Sequence, residues 1–166
     1  SRKAFDTKLS VSSYAWSPDG KQVAFLSSGE LEEDKKKKKL KDKGFTPIIY
    51  EEEWKPTRVW LVDVNAEGSG EPKALDLPGS ASSLSWSPDG SRLLVALAPT
   101  SLVDDFYMNR RLRVISVDSG KVETEIANPG KLGDTAWSPD GKHIAFITAE
   151  DPNDPSAGRI WVVPAK

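Results

Sequence analysis

The sequence predicts an all-β fold, a β-propeller segment of three four-stranded antiparallel blades. The pentapeptide Trp-Ser-Pro-Asp-Gly occurs three times, at 16–20, 86–90 and 137–141. Each copy precedes an apolar run, and one or two further strand-like runs follow that run. Recurrence of five residues in a chain of 166 marks an internal repeat. Four short strands per unit are typical of a propeller blade, whereas a sandwich of unrelated hairpins leaves the repeated turn unexplained.

The repeated turn has the residues of a type I hairpin. Proline sets φ at the second position, aspartate suits the third, and glycine takes the left-handed position that closes the hairpin. We therefore place Pro18, Pro88 and Pro139 at hairpin tips. The second strands are predicted at 23–26, 93–97 and 144–147, the third strands at 58–64, 112–117 and 159–163, and the fourth strands at 72–77 and 122–127.

The repeats divide the chain into blades. We predict blade 1 at 10–79 with an insertion at 30–57, blade 2 at 80–130, and blade 3 at 131–166 without its outer strand. Residues 1–9 align with the fourth strand of blade 1, so we expect them to complete the last blade, in cis or in trans, because ring closure removes open sheet edges. Rings need at least four blades. The chain is therefore a piece of a larger propeller, half of a six-bladed ring closed as a homodimer, or an open arc.

Composition excludes several function classes. The formal net charge of −2 argues against a nucleic-acid partner and against binding to anionic membranes. The chain has no cysteine, so thiolate metal sites and cysteine nucleophiles are absent. No apolar run approaches the ~18 residues of a membrane span. We expect a soluble protein, and both the cytoplasm and the periplasm remain open.

A family resemblance rests on the turns and on the strand that follows the insertion. The repeated hairpins followed by Arg58-Val59-Trp60-Leu61-Val62-Asp63-Val64 resemble the propeller repeats of TolB-like proteins. They are equally similar to the N-terminal propeller of prolyl oligopeptidase-type serine peptidases. The stretch 44–54, running into this strand, is similar to the propeller sequence of bacterial peptidases in the acylaminoacyl peptidase-like group. In these enzymes, the propeller caps a separate α/β-hydrolase domain and restricts access to its active site.

That resemblance implies a non-catalytic module that gates substrates and docks a hydrolase domain. One alternative is a TolB-like propeller that holds a protein partner. Another is an engineered half-propeller without a ligand, which self-assembles into a six-bladed ring.

The chain lacks the parts of a hydrolase active site. It has no Gly-x-Ser-x-Gly elbow, and the nearest approach, at 79–83, lacks the final glycine. The single histidine, His143, directly follows a hairpin turn, so we interpret it as a solvated strand residue and not as a triad base. We predict no catalytic residue and no cofactor.

Candidate binding residues lie at the end of the insertion. Dipeptidyl peptidases carry a paired glutamate motif that binds the substrate's N-terminal ammonium through charge-assisted hydrogen bonds. The sequence Tyr50-Glu51-Glu52-Glu53 is similar to this motif. The resemblance thus implies a binding role for Glu51 and Glu52, to which we add Arg58 at the start of the next strand. The alternative is a charged loop anchored by Trp54.

The remaining features have structural explanations. The acidic-then-basic run at 30–43 is either a docking arm or a solvated helical excursion, and we favour the excursion. Asp104, Asp105 and the segment 151–154 offer oxygen ligands for Ca²⁺, but neither group has EF-hand spacing, so we predict loops and no metal site. We expect Trp16, Trp86 and Trp137, at equivalent positions, to pack between blades.

Overall fold

The computed structural model describes residues 7, 9–28, 44, 55–64, 70–153 and 156–166. Two predictions fall wholly or largely outside these residues. They are the outer strand at 1–9, of which only Thr7 and Leu9 are described, and most of the insertion, including Glu51 and Glu52.

The described residues form three antiparallel sheets in which strands that are consecutive in the chain pair with each other. Blade 1 contains β1 (Val11–Trp16), β2 (Gln22–Ser27), β3 (Arg58–Asp63) and β4 (Lys73–Ala74). Blade 2 contains β5 (Ser80–Trp86), β6 (Arg92–Ala98), β7 (Arg111–Ser116) and β8 (Val122–Ile126). Blade 3 contains β9 (Leu132–Trp137), β10 (His143–Ala149) and β11 (Gly158–Pro164). One short helix, α1 (Val103–Met108), lies between β6 and β7. The predicted all-β blade architecture is confirmed.

The three Ser-Pro-Asp-Gly turns share one hydrogen-bond pattern. In blade 2 the Gly90 amide donates to the Ser87 carbonyl at 2.9 Å, and Gly90 has a φ of 72°, as predicted for this turn. The Ser87 hydroxyl donates to Asp89 Oδ1 at 2.6 Å, and the Ser91 amide donates to the same oxygen at 3.1 Å. The same three bonds recur at 17–21 and 138–142. The turn is therefore fixed by the pentapeptide itself and the amide that follows it.

Acid is expected to weaken these turns. The Ser87 hydroxyl and the Ser91 amide lower the pKa of Asp89 to about 2, and equivalent bonds lower the pKa values of Asp19 and Asp140. A carboxylate with a depressed folded-state pKa stabilises the fold above its unfolded value of 3.8, and this contribution is lost as pH falls through the folded value. We expect stability to decrease between about pH 4 and pH 2.

The variant Asp89→Asn tests this expectation. At pH 7 it should lose about 1 kcal/mol of unfolding free energy, a value reduced for solvent screening of this exposed turn. The difference from wild type should disappear near pH 2, where Asp89 itself becomes protonated. Urea unfolding at several pH values measures both quantities, and a difference that stays constant with pH would contradict the assignment.

Blade 2 is buried on both faces. Side chains along β6 alternate, so Leu93, Val95 and Leu97 pack in the core shared with blade 1, while Leu94 and Ala96 pack in the core shared with blade 3. All five are at most 2% exposed. This two-sided burial explains why β6 has a continuous apolar sequence and does not alternate between apolar and polar residues.

Adjacent turns approach each other at a proline and a glycine. The position that a Cβ would take on Gly90 lies 3.5 Å from Cδ of Pro18. The equivalent position on Gly141 lies 3.5 Å from Cδ of Pro88. Both blade junctions therefore use the same pair of motif residues.

Polar contacts also cross the junctions. Trp86 Nε1 donates to the Ala15 carbonyl at 3.0 Å, which confirms that this tryptophan packs between blades 1 and 2. Arg92 donates to the carbonyls of Gly141 at 3.0 Å and Ala165 at 3.1 Å, and its guanidinium carbon lies 5.0 Å from the centre of the Trp137 ring. Arg92 thus joins blade 2 to both ends of the chain segment that forms β10 and β11.

The structure differs from the sequence prediction in two places. The loop predicted around Asp104 and Asp105 is the first part of helix α1. The predicted outer strand at 72–77 is only two residues long, as β4. Within the described ranges, no helix is long and apolar enough to be a candidate membrane span.

Candidate binding face at the loop end of the blades

The two ends of the blades differ in their connections. Because the strands alternate in direction, the Ser-Pro-Asp-Gly turns and the β3–β4 and β7–β8 hairpins lie at one end, called here the turn end. The connection 99–110 and the linkers between blades lie at the opposite end, the loop end, where β2 and β10 also end and β3 and β11 begin. Binding residues are commonly placed on such connections of a rigid scaffold.

Thr57, the last residue of the insertion, is anchored to β5 by two hydrogen bonds. The Thr57 amide donates to Ser80 Oγ at 3.0 Å, and its carbonyl accepts from the Ala81 amide at 2.8 Å. Arg58, the next residue, begins β3 and is half-buried at the loop end. Of the three predicted binding residues, the structure therefore places Arg58, whereas Glu51 and Glu52 lie outside the described residues.

Helix α1 adds an exposed apolar surface to the same end. Val103, Phe106 and Tyr107, called here the α1 patch, are all exposed. The rings of Phe106 and Tyr107 meet edge to face with centroids 5.3 Å apart. Both aromatic side chains of the patch are exposed, and their rigid rings suit contact with a partner or peptide.

Arg110 fixes the α1 patch to the blades. Its guanidinium carbon lies 4.3 Å from the centre of the Phe106 ring, and Nη2 donates to the Leu132 carbonyl at 2.7 Å. Burial lowers the pKa of Arg110 from its ordinary value, yet a guanidinium stays protonated at neutral pH. The buried amide of Asn128 donates to the Arg110 carbonyl at 3.1 Å. A charged, partly desolvated side chain thus lies beneath the aromatic surface.

Sequence reasoning did not identify the α1 patch. The available signal was the pair Phe106-Tyr107 in the long connection 99–110, where apolar side chains have no strand to pack against. The sequence analysis considered Asp104 and Asp105 only as a loop and as possible metal ligands, and it did not consider the two aromatic residues that follow them.

The other candidates of the sequence are not part of this face. His143 is exposed at the start of β10, at the turn end, as predicted. Asp105 accepts hydrogen bonds from Thr100 at 2.5 Å and Asn109 at 2.7 Å, which together lower its pKa. Among the residues that the structure describes, no three carboxylate, histidine or cysteine side chains are grouped as metal ligands.

Three adjoining antiparallel sheets, with neighbouring turns that approach each other at each junction, define a segment of a β-propeller. The putative TolB of Agrobacterium tumefaciens has a TM-score of 0.58 to this chain at 20% identity, covering 91% of this chain and 41% of that one. The β-propeller domain of the Trilobed protease from Pyrococcus furiosus, described as having an open velcro topology, has a TM-score of 0.54 at 17% identity, covering 94% and 43%. These similarities show the fold.

A curated relative is closer in sequence. The uncharacterized peptidase YuxL of Bacillus subtilis (strain 168) is 30% identical over an alignment 160 residues long, which covers 79% of this chain and 20% of the relative. The chain thus spans about a fifth of the length of the relative and less than half of each structural neighbour. No protein-family model matches the chain.

Proposed function

We propose that this propeller segment belongs to a prolyl oligopeptidase-type serine peptidase and restricts which peptides reach its catalytic domain. The observation that carries the proposal is the 30% identity to a peptidase over most of this chain. The fold shared with the propeller domain of a protease supports it. The propeller contributes no catalytic group; its long connections at the loop end select substrates by size and by contact.

In this proposal the insertion supplies the peptide contact. Glu51 and Glu52 bind the ammonium of a free peptide N-terminus, because two carboxylates compensate its positive charge with charge-assisted hydrogen bonds. Arg58 follows within a few residues on an anchored strand and donates to a carbonyl of the bound peptide. The α1 patch on blade 2 offers apolar contact for side chains further along the peptide.

Peptide binding by the chain tests this site. A short peptide with a free N-terminus should bind at least ~10-fold more tightly than its N-acetylated form, since acetylation removes the charge that the glutamates compensate. The double variant Glu51→Gln/Glu52→Gln should abolish this preference, and titration calorimetry measures it.

The matched control is Glu123→Gln, which removes an exposed carboxylate from β8, away from the insertion. It should leave the preference intact. Equal affinity of the wild-type chain for the free and acetylated peptides would rule out the ammonium site. Peptide hydrolysis by the chain alone would contradict its non-catalytic role.

The second candidate function is a TolB-like module that holds a protein partner. The exposed α1 patch and the similarity to a putative TolB favour it. The two functions differ in what the longer polypeptide contains. A Gly-x-Ser-x-Gly domain after the propeller supports the peptidase, and a reading frame without one supports the partner-binding module.

A further inference from the structure

All three Asp–Gly dipeptides of the chain lie in the repeated turns, at 19–20, 89–90 and 140–141. Asp–Gly dipeptides isomerise readily, because glycine has no side chain to shield its amide nitrogen from the neighbouring carboxyl group. The nitrogen attacks Cγ of the aspartic acid, a C–N bond forms, and the carboxyl OH leaves as water with the amide proton. Water then opens this succinimide ring, mostly to isoaspartate, so the reaction needs no other reagent.

The serine hydroxyl of each turn is oriented by its own hydrogen bonds. In blade 2, Ser87 Oγ accepts from the Arg92 amide at 2.9 Å, so its hydrogen is left to donate to Asp89 Oδ1 at 2.6 Å. Ser17 and Ser138 likewise accept from amides at 2.9 Å and donate to the aspartates of their turns at 2.7 and 2.6 Å. All three aspartates therefore receive a hydroxyl proton of fixed direction.

Both reacting groups of each Asp–Gly bond are held by hydrogen bonds. The Gly90 amide donates to the Ser87 carbonyl at 2.9 Å, and the corresponding bonds of the other two turns have the same length. Asp89 Oδ1 accepts from the serine hydroxyl and from the Ser91 amide, and bonds of this kind favour the ionised carboxyl group. An ionised carboxylate resists the attack, because it has no protonated oxygen to leave as water.

Isomerisation would change the approach of neighbouring blades. The position of a Cβ on Gly90 lies 3.5 Å from Cδ of Pro18, and the same distance separates Gly141 from Pro88. In isoaspartate the main chain runs through Cβ and Cγ, which adds one atom directly before the glycine. The glycine would then be displaced from the proline of the preceding turn.

We propose that the serine of Trp-Ser-Pro-Asp-Gly protects the Asp–Gly bond of each turn against isomerisation, and that loss of its hydroxyl makes the turn a modification site. The hydroxyl acts on the carboxyl side of the reaction, where it holds the group ionised. The glycine amide is held separately by the serine main chain, so a serine-to-alanine variant removes the first restraint and keeps the second. The inference does not depend on the peptidase assignment.

Ageing of the purified chain in heavy-oxygen water tests this role at all three turns in one molecule. Each opening of a succinimide incorporates one heavy oxygen, and the isoaspartyl peptide separates from the aspartyl peptide by chromatography. Trypsin cuts after lysine and arginine, so it releases the three turns on separate peptides. Ser87→Ala should raise conversion at Asp89 at least ~5-fold, because the carboxyl group loses a bond that favours its ionised form. Conversion at Asp19 and Asp140 should stay at the wild-type rate.

Ser85→Ala is the matched control. Ser85 lies in the same strand as Trp86, and its buried Oγ makes no hydrogen bond within the described part of the chain. This variant also removes one buried hydroxyl, yet it should leave conversion unchanged at all three turns. Ser138→Ala repeats the test in blade 3, where the serine is half-buried, and should raise conversion at Asp140 alone.

Three results would overturn the proposal. An unchanged rate at Asp89 in Ser87→Ala would show that the hydroxyl gives no protection. An equal rise at all three turns would assign the effect to general loosening of the fold. In urea, where the turns are lost, wild type and variant should convert at the same rate, and a difference that persists there would assign the effect to the sequence and not to the turn.

Discussion

Gly79→Ala is expected to lower the free energy of unfolding by about 3 kcal/mol, the sum of backbone strain and overpacking. Gly79 has a φ of 76°, which L-residues with a side chain rarely adopt. A Cβ at this position would also meet the Ala98 carbonyl oxygen well inside van der Waals contact. Because the clashing atom belongs to the backbone of β6, a side-chain rotation cannot relieve it.

Gly20→Ala is the matched control for this prediction. Gly20 has a similar φ of 70°, but nothing lies within 4 Å of its Cβ position. Its replacement should cost only the strain of the left-handed conformation, about 1 kcal/mol. Urea unfolding of the two variants isolates the clash, and equal losses would show that the close approach between the linker and β6 is not maintained in solution.

Trp86→Ala is expected to cost about 4 kcal/mol, because it removes a large buried side chain from the core between blades 1 and 2. It also removes the hydrogen bond to the Ala15 carbonyl, which stays at the junction without its donor. Trp86→Phe keeps most of the ring volume and loses the indole donor, so it should cost about 1 to 2 kcal/mol.

Trp16→Ala provides the comparison at the equivalent position of blade 1. Trp16 is half-exposed, so its removal should cost less than about 1 kcal/mol. Urea unfolding of the two alanine variants measures the difference. Similar losses for the two alanine variants would mean that the junction of blades 1 and 2 contributes little to stability.

The turns and the central strands could be predicted from the sequence because their structure depends on local chemistry. Ser87, Pro88, Asp89 and Gly90 make their turn with one another and with the next amide. The run 93–97 is apolar at every position because neighbours cover both faces of β6. When both faces of a strand are buried, every residue of the strand is apolar, and the sequence shows this directly.

Elements that depend on distant contacts were predicted less well. Helix α1 has six residues, too few to show a helical period in the sequence. The outer strand β4 is short because it lies at the edge of the sheet and is exposed, so little apolar burial favours its extension.

At the candidate site too, features set by the local sequence were predicted, whereas features that depend on distant contacts were not. The repeats located the insertion, and the apolar run at 58–64 predicted the strand that Arg58 begins. The α1 patch was not predicted, because the contact that joins it to the blades runs through Arg110 to the Leu132 carbonyl, 22 residues away in the chain. Arg92 is a similar case, since the equivalent positions hold Gln22 and His143 and the repeat gives no indication of its role between blades.

The proline–glycine contact between turns has a consequence for how such chains change in evolution. At both internal junctions, the turn glycine of one blade faces the turn proline of the blade before it. The other contacts differ, because Trp86 donates to the Ala15 carbonyl between blades 1 and 2, whereas Arg92 donates to carbonyls of blade 3 at the other junction. Duplication of one repeat would therefore keep the proline–glycine pair and would still need side chains suited to each new junction.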